Sequence, residues 1–209
     1  MARPILAFGA GGLAADIMDM ARRIGGLSIV GCVVDHETGS PPMVDLPLHR
    51  WSDISGQADR YVAVNAMGSP ARRRFIEKAE AAGFEFMTLI DPSAEIFPSA
   101  AIGAGCVVGA GCVVAAVAQI GRHVFLNRAV TVGHHASIGD FASCYAAVNI
   151  GSFSRIGPGV EMGIGSIVID RVTVGADAVL GAGCVVIRDC VAGARMVGVP
   201  ARPLDSPRS

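Results

Sequence analysis

From residue 94 onward, aliphatic side chains return at every sixth position without an insertion. The series includes one methionine and one cysteine, and its members are Ile96, Ile102, Val108, Val114, Ile120, Leu126, Val132, Ile138, Cys144, Ile150, Ile156, Met162, Val168, Val174, Leu180 and Val186. A glycine usually follows each member, and small or β-branched residues lie two positions before it. This period predicts a parallel β-helix in which each hexapeptide forms a short strand and a corner, with residues about 18 positions apart stacked. We expect the glycine to relieve the backbone where the chain turns.

The first 90 residues follow a different pattern. Apolar strands are predicted in PILAFGAGG, LSIVGCVVD, RYVAVNA and FEFMTLI, helices in LAADIMDMARRIG and SPARRRFIEKAEAAG, and a loop in HETGSPPMVDLP. Strands that alternate with helices predict a small parallel sheet. We therefore divide the chain into an α/β domain at residues 1–90 and a β-helix domain with a C-terminal tail at residues 91–209.

The glycine-rich segment GAGGLA, residues 9–14, joins the first strand to the first helix. In this position, backbone N–H groups and the helix N-terminus can face a phosphate group. Asp35 ends the second strand, where an acidic side chain can reach a ribose or a base edge. A tight turn without a ligand is the alternative. Because the domain is large enough for only one mononucleotide-binding half, the sequence favours a single nucleotide with an attached sugar over NAD.

Composition narrows the class of protein. Hydrophobic residues make up 52% of the chain, charged residues 17% and aromatic residues 5%, so the core is large and built mainly from small aliphatic side chains. The net charge of −1, without a basic segment, argues against nucleic acid as a partner. No apolar run has transmembrane length, and the N-terminus lacks a signal-peptide cleavage pattern. We therefore expect a cytoplasmic protein that binds no membrane.

The cysteines and histidines supply the candidate chemistry. None of the six cysteines forms a C-x-x-C pair, and five of them fall either on the six-residue series or on the repeat two positions before it, so we expect buried thiols rather than disulfides. His134 and His135, in VTVGHHASIGDF, follow Val132 and Gly133 at a corner and should point outward. A β-helix wall has no cleft of its own, so catalysis there would need a second wall, from another subunit or from the N-terminal domain.

The remaining histidines are interpreted as structural or solvated. His36 and His49 should be solvated, and His123 should lie on the surface at another corner. A zinc site between subunits would have to draw on His123, His134 and His135, because zinc needs at least three protein ligands. We expect no metal.

The motifs FGAGGLA, VVD, LIDPSAEI, the hexapeptide run, VTVGHHASIGDF and MVGVPARP together resemble a known family. It is the sugar O-acyltransferase family, which contains the sialic acid O-acetyltransferases and the bacterial nucleotide-amino-sugar N-acetyltransferases. The resemblance implies a small Rossmann-like α/β N-terminal domain followed by a left-handed parallel β-helix of hexapeptide repeats. It also implies a homotrimer with the active site between subunits, acetyl-CoA along the coil and the nucleotide on the N-terminal domain.

The resemblance also assigns residues. His134 corresponds to the general base, and His135 lies directly after it in the catalytic motif. The nucleotide-sugar side corresponds to Gly11, Gly12, Leu13 and Asp35, and the CoA side to Ser143, Ser152, Ile164 and Ala182. The chain departs from the family pattern at two positions: His135 replaces a Glu or Asp that orients the base, and Ser143 replaces a second histidine.

The resulting hypothesis is an acetyl-CoA-dependent N-acetyltransferase that acts on the amino group of a nucleotide-linked amino sugar in cell-surface polysaccharide or glycan biosynthesis. Within the same family, the acceptor could instead be a hydroxyl of a sialic acid or another sugar. Two further alternatives are a non-catalytic β-helix trimer that binds nucleotide sugars and a zinc-dependent, hydratase-like β-helix.

Overall fold

The computed structural model describes residues 3–35, 44–68 and 72–204. The chain divides into two compact units, unit 1 at Met1–Pro92 and unit 2 at Ser93–Ser209. His36 lies outside the described residues. No helix in the described part of the chain is both long and apolar enough to cross a membrane.

Among its described residues, unit 1 contains a four-stranded parallel sheet and three helices. Its elements are β1 (Ile5–Phe8), α1 (Gly12–Ile24), β2 (Ile29–Val34), β3 (Leu48–Arg50), α2 (Trp51–Ile54), β4 (Val62–Asn65), α3 (Arg72–Ala81) and β5 (Leu89–Ile90). The sheet order is β3-β2-β1-β4, with all pairs parallel. The alternation of strands and helices predicted β1, β2 and β4 of this sheet, but β3 and α2 were not anticipated. Of the predicted strand FEFMTLI, only Leu89–Ile90 forms a strand and it is not part of this sheet, while Phe86 makes a single bridge to Ala63.

Aromatic side chains are concentrated in the core of unit 1. The ring of Phe8 lies 5.1–5.3 Å from those of Phe75, Phe84 and Phe86, and Trp51 packs edge-on against Phe75 at 5.7 Å. His49 was expected in solvent, but it is half-buried on β3 and packs over Gly31, where a β-carbon would lie 2.7 Å from its Nε2. The glycine at position 31 makes the space for this ring.

Unit 2 is a parallel β-helix. Its strands are β6 (Glu95–Ile96), β7 (Ala101–Ile102), β8 (Val107–Val108), β9 (Val113–Val114), β10 (Gln119–Ile120), β11 (Phe125–Leu126), β12 (Thr131–Val132), β13 (Ser137–Ile138), β14 (Ser143–Cys144), β15 (Asn149–Ile150), β16 (Arg155–Ile156), β17 (Glu161–Met162), β18 (Ile167–Val168), β19 (Thr173–Val174), β20 (Val179–Leu180), β21 (Val185–Val186), β22 (Arg195–Val197) and β23 (Arg202–Pro203). From β6 to β21, the second residue of each strand is a member of the six-residue series. The predicted β-helix is therefore confirmed.

The strands stack on three faces. Face 1 contains β7, β10, β13, β16 and β19; face 2 contains β8, β11, β14, β17, β20 and β22; and face 3 contains β6, β9, β12, β15, β18 and β21. Val132 pairs with Val114 in the layer before and with Ile150 in the layer after, as the expected stacking requires. The antiparallel strand β23 pairs with β22 at the C-terminal end.

The corners correct the role expected for glycine. The backbone is left-handed two positions after the frequent glycine, at residues of several types that include His135 (φ 60°) and Phe153 (φ 61°). At Gly133, in the first corner position, space is limiting instead, because a β-carbon there would lie 2.6 Å from the backbone nitrogen of Ser152 in the next layer. Layer spacing, rather than backbone conformation, therefore selects that glycine.

Side chains inside the coil are small and closely packed. All six cysteines are buried thiols, as expected, five of them in unit 2 and Cys32 on β2 of unit 1. His123 was expected on the surface, but it is 1% exposed, stacks on Phe141 at 4.9 Å and covers Gly105. A corner position therefore does not by itself ensure exposure.

Candidate active site

His134 and His135 occupy the corner between β12 and β13, where face 3 turns into face 1. We call this line of corners the histidine edge; it carries Ser152 and Phe153 in the next layer and Asp170 and Arg171 in the one after. Both histidine side chains are exposed. The corner is held by backbone hydrogen bonds: the His135 N–H donates to the Ala116 carbonyl at 3.1 Å, and the Phe153 N–H donates to the His134 carbonyl at 3.1 Å.

The two imidazoles contact each other directly. Their Nδ1 atoms lie 3.1 Å apart, and the ring planes are nearly perpendicular at 86°. A hydrogen bond between two ring nitrogens needs one N–H donor and one lone-pair acceptor. The pair can therefore keep one proton between the two Nδ1 atoms and leave both Nε2 atoms available for other partners.

Phe153 and Arg171 extend this cluster along the histidine edge. The Phe153 ring stacks on His135 at 4.8 Å with a 20° interplanar angle, and it meets His134 edge-on at 5.1 Å. The Arg171 guanidinium lies 5.0 Å from the centre of the Phe153 ring. His135, Phe153 and Arg171 occupy the same corner position in consecutive layers. The sequence offered this signal, since they are 18 residues apart, but its interpretation did not use it.

The residues expected on the CoA side lie in three places. Ser152 is on the histidine edge, one layer from His134, and its N–H donates to Asp170 Oδ1 at 2.7 Å. Ile164, 61% exposed, and the exposed Ala182 lie on a second line of corners, where face 2 turns into face 3; we call it the Ile164 edge. Ser143 lies on β14 of face 2 and is 3% exposed. Of the four, only Ser152 shares an edge with His134.

Asn127, a corner residue between β11 and β12, has a local structural contact. Its Oδ1 accepts a hydrogen bond from the Arg128 N–H at 2.7 Å, and its backbone carbonyl accepts one from Cys112 Sγ at 2.9 Å. This side chain holds the corner of its own layer.

Unit 1 contains a cavity of about 690 Å³ at the glycine turn, lined by Gly9, Ala10, Gly11, Val33, Val34, Asp35, Met67, Arg74, Phe75 and Lys78. Gly11 is the N-cap of α1 with an extended backbone (φ −86°) and no side-chain cap. Gly12 and Leu13 form the first turn of that helix and are not among the lining residues. At Gly9 the backbone is left-handed (φ 125°), and a β-carbon would lie 2.5 Å from the Ala66 carbonyl oxygen, so only glycine fits.

Two basic residues in this cavity were missed by sequence reasoning. Arg74 and Lys78 lie one turn apart on α3 and both line the cavity. Lys78 forms an ion pair with Asp35, and its Nζ lies 5.1 Å from the centre of the Trp51 ring. The cavity therefore combines a helix N-terminus, two cations and one carboxylate, which suits a phosphorylated ligand with hydroxyl or base donors.

No metal centre is evident in the described ranges. Within residues 3–35, 44–68 and 72–204, no group of three or more His, Cys, Asp or Glu side chains could hold a metal ion. His123, the third histidine of the zinc alternative, is buried against Gly105 and Phe141.

No protein-family model matches the chain. Among solved structures, the acetyltransferase domain of PglB from Neisseria gonorrhoeae is 30% identical, with a TM-score of 0.89, over 97% of this chain and 100% of that domain. The same domain has been solved in complex with acetyl coenzyme A, with an equal identity and TM-score. A mutant of perosamine N-acetyltransferase from Caulobacter crescentus, in complex with CoA and GDP-perosamine, is 27% identical, with a TM-score of 0.77, over 97% of both chains.

A curated protein of Schizosaccharomyces pombe, which carries the name putative acetyltransferase, is 34% identical over 88 residues. The matched segment is 42% of this chain and 42% of that protein, so the chain spans less than half of the curated relative's length. The PglB domain, in contrast, is matched over its whole length and through both units of this chain. The chain therefore belongs to the family of hexapeptide-repeat sugar acyltransferases, and it is an acyltransferase.

Proposed function

We propose that this protein transfers an acetyl group from acetyl-CoA to the amino group of a nucleotide-linked amino sugar, in the biosynthesis of a cell-surface polysaccharide or glycan. The observation that carries the proposal is that the similarity to the PglB acetyltransferase domain spans the α/β unit as well as the β-helix. The perosamine N-acetyltransferase structure, with CoA and GDP-perosamine, supports the same class of substrates. A family member whose substrates bound only to the β-helix would not require the cavity of unit 1.

His134 is the proposed general base. The amine nitrogen attacks the thioester carbonyl carbon, so a C–N bond forms and the C–S bond breaks. His134 Nε2 takes the proton that the nitrogen loses, and the departing thiolate is protonated and leaves as CoA. General base catalysis of this kind contributes about 100-fold to 10,000-fold. Backbone N–H groups of the coil are suitable donors to the oxygen that becomes negative.

The nucleotide is proposed to bind in the cavity of unit 1. The first turn of α1, at Gly11, Gly12 and Leu13, offers backbone N–H groups to a phosphate, and Arg74 with Lys78 adds positive charge on the lining. Asp35 can accept a hydrogen bond from a ribose hydroxyl or a base edge. The sheet order β3-β2-β1-β4 supports the Rossmann-like interpretation, because it is the beginning of the nucleotide-binding order.

Acetyl-CoA is proposed to bind along the coil, with contacts from Ser143, Ser152, Ile164 and Ala182 that are mostly made by the backbone. His134 and Ile164 lie on different edges of the β-helix, and this supports a site completed by a second copy of the chain. A left-handed coil and a homotrimer are part of this proposal, and no metal is required.

The test measures CoA release with a thiol reagent, for which the six buried cysteines keep the background low. UDP-, GDP-, CMP- and dTDP-linked amino sugars are each compared with the matching hydroxyl sugar. We expect release with at least one amino sugar and a loss of about 100-fold or more in kcat for His134→Gln. His49→Gln, a change at the half-buried histidine of unit 1, should leave kcat near the wild-type value.

Two results would contradict the proposal. Release with a hydroxyl sugar alone would identify an O-acetyltransferase. Binding of nucleotide sugars without release of CoA from any of them would identify a binding protein. Melting curves with each nucleotide, with and without CoA, distinguish the last case, since a bound ligand raises the melting temperature by mass action.

A further inference from the structure

The strongest unexplained feature of the histidine edge is the contact between the two Nδ1 atoms. The resemblance to the sugar acyltransferase family implies an acid directly after the base, and this chain has His135 at that position. At 3.1 Å, one imidazole must donate its Nδ1–H and the other must accept it. If His135 donated, His134 would carry its proton on Nε2 and could not accept the substrate's proton there. If His134 donates, its Nε2 keeps a lone pair.

We infer that His135 is a positioning residue that accepts the Nδ1–H of His134 through its own Nδ1, and so holds His134 in the tautomer with a free Nε2. The inference rests on the proposed function, in which His134 Nε2 is the base. The hydrogen bond made by one ring nitrogen decides which tautomer a histidine adopts. An imidazole nitrogen therefore takes the orienting role that the family resemblance implies for a carboxylate, without a negative charge.

The structure fixes His135 firmly enough for this role. Its backbone lies in the left-handed region at φ 60°, which histidine adopts more readily than most residues, and its N–H is bonded to the Ala116 carbonyl. Its ring stacks on Phe153, and Phe153 in turn contacts the Arg171 guanidinium. Ring stacking and the cation–π contact both restrict rotation of the acceptor.

Phe153 also orients the base itself. The His134 ring is perpendicular to His135 and to Phe153, with interplanar angles of 86° and 87°. The nearly parallel rings of His135 and Phe153, in adjacent layers, thus form a flat aromatic surface that His134 contacts edge-on. This surface compensates for the exposure of His134, which would otherwise leave its side chain free to change rotamer.

The decisive experiment compares His135→Asn with His135→Leu. Asn places Oδ1 where the imidazole has Nδ1 and tolerates a positive φ, whereas Leu has the same branching without an acceptor. We expect kcat of the Leu variant to fall about 10-fold to 100-fold while KM for both substrates stays within about threefold. The Asn variant should keep kcat within about threefold of the wild type. Equal kcat values for the two variants would overturn the inference.

A spectroscopic readout tests the tautomer directly. In a spectrum of the imidazole nitrogens of labelled protein, with assignments from the His134→Gln and His135→Asn variants, wild-type His134 should carry its proton on Nδ1. His135→Leu should move that proton toward Nε2, which a free imidazole prefers. A proton on Nε2 of His134 in the wild type would refute the inference, even if His135→Leu did not fold.

Failure of this inference differs from failure of the proposed function. If wild-type protein releases CoA and His134→Gln does not, but His135→Leu matches the wild type, the base stands and His135 has no positioning role. If His134→Gln is as active as the wild type, the proposed base is wrong. Phe153→Leu, which removes the ring that both histidines contact, should lower kcat about threefold to tenfold.

Discussion

Position 133 shows how tightly the layers of the β-helix are spaced. A β-carbon there would come within 2.6–2.8 Å of three backbone atoms of Gly151 and Ser152. Backbone cannot move aside as the end of a flexible side chain can, so the layers would have to separate beside His134. Two residues later the backbone is left-handed, but large side chains fit there, as His135 and Phe153 show in the same column of corners.

We expect Gly133→Ala to lower the free energy of unfolding by about 1–3 kcal/mol, the usual cost of overpacking. Gly56→Ala is the matched control. Gly56 also lacks a left-handed backbone, but it has open space around its missing β-carbon. Urea denaturation of both variants checks this. An equal loss of stability in the two would show that layer spacing does not select glycine at position 133.

The buried thiols give a pH-dependent prediction. Burial raises the pKa of the Cys184 thiol. Burial is also the main cause that raises the pKa of the Cys190 thiol, and the nearby charges of Cys184 and Asp189 raise it further. At pH 8, we expect native Cys184 to react with iodoacetamide about 100-fold more slowly than in urea. Labelling followed by peptide mass spectrometry measures both rates, and equal rates would contradict burial of the thiol.

The sign of the effect on stability follows from the same shifts. Because the folded pKa is raised, unfolded thiols ionise at a lower pH than folded ones. Their contribution to stability is therefore complete below about pH 9 and is lost as the pH rises beyond it. The free energy of unfolding should decline across that range, and Cys184→Ala should reduce the slope of the decline.

The N-terminus of α1 is the element on which the nucleotide proposal depends. Gly11 lines the cavity, has an extended backbone and has open space where a β-carbon would be. A side chain can therefore be added there without strain. Asp and Asn are both good N-caps, so either should preserve or strengthen the 13-residue helix.

We expect Gly11→Asp to weaken nucleotide binding about tenfold or more, since its carboxylate would occupy the place of a phosphate. Gly11→Asn has the same shape without the charge, so it separates electrostatic repulsion from simple obstruction. Calorimetric titration with the nucleotide that supports activity measures both affinities. A melting temperature no lower than that of the wild type would confirm that folding is intact. If the two variants bind equally, the phosphate does not lie at this helix end.

The whole molecule shows which features a sequence can predict. The six-residue series predicted every strand from β6 to β21, because a repeated local pattern determines the stacking. The positions of Arg74 and Lys78 could not be predicted, because they depend on where α3 packs against the sheet. The burial of His123 could not be predicted for the same kind of reason, since its surroundings come from neighbouring layers rather than from its own corner. The contact between His134 and His135 depends on side-chain rotamers, which no residue pattern encodes.

The arrangement of edges leads to a prediction about assembly. His134 lies where face 3 ends, and Ile164 and Ala182 lie where face 3 begins, so the proposed base and two proposed CoA contacts are at opposite sides of one face. A ligand that needs both edges at once is served best by two copies of the chain, each contributing a different edge, and a closed ring of three satisfies this for every copy.

We therefore expect a homotrimer by light scattering, and complementation between two inactive variants. His134→Gln removes the base, and Ile164→Arg places a charged side chain on the exposed Ile164 edge. Equal amounts of the two variants are unfolded and refolded together to form mixed trimers. An active interface needs an intact histidine edge from one subunit and an intact Ile164 edge from its neighbour, and random assembly gives this at about one interface in four. The mixture should therefore recover about a quarter of wild-type activity. Each variant refolded alone should remain inactive. If the mixture also stays inactive while the variants form mixed trimers, both edges act within one chain, and the site is not shared between subunits.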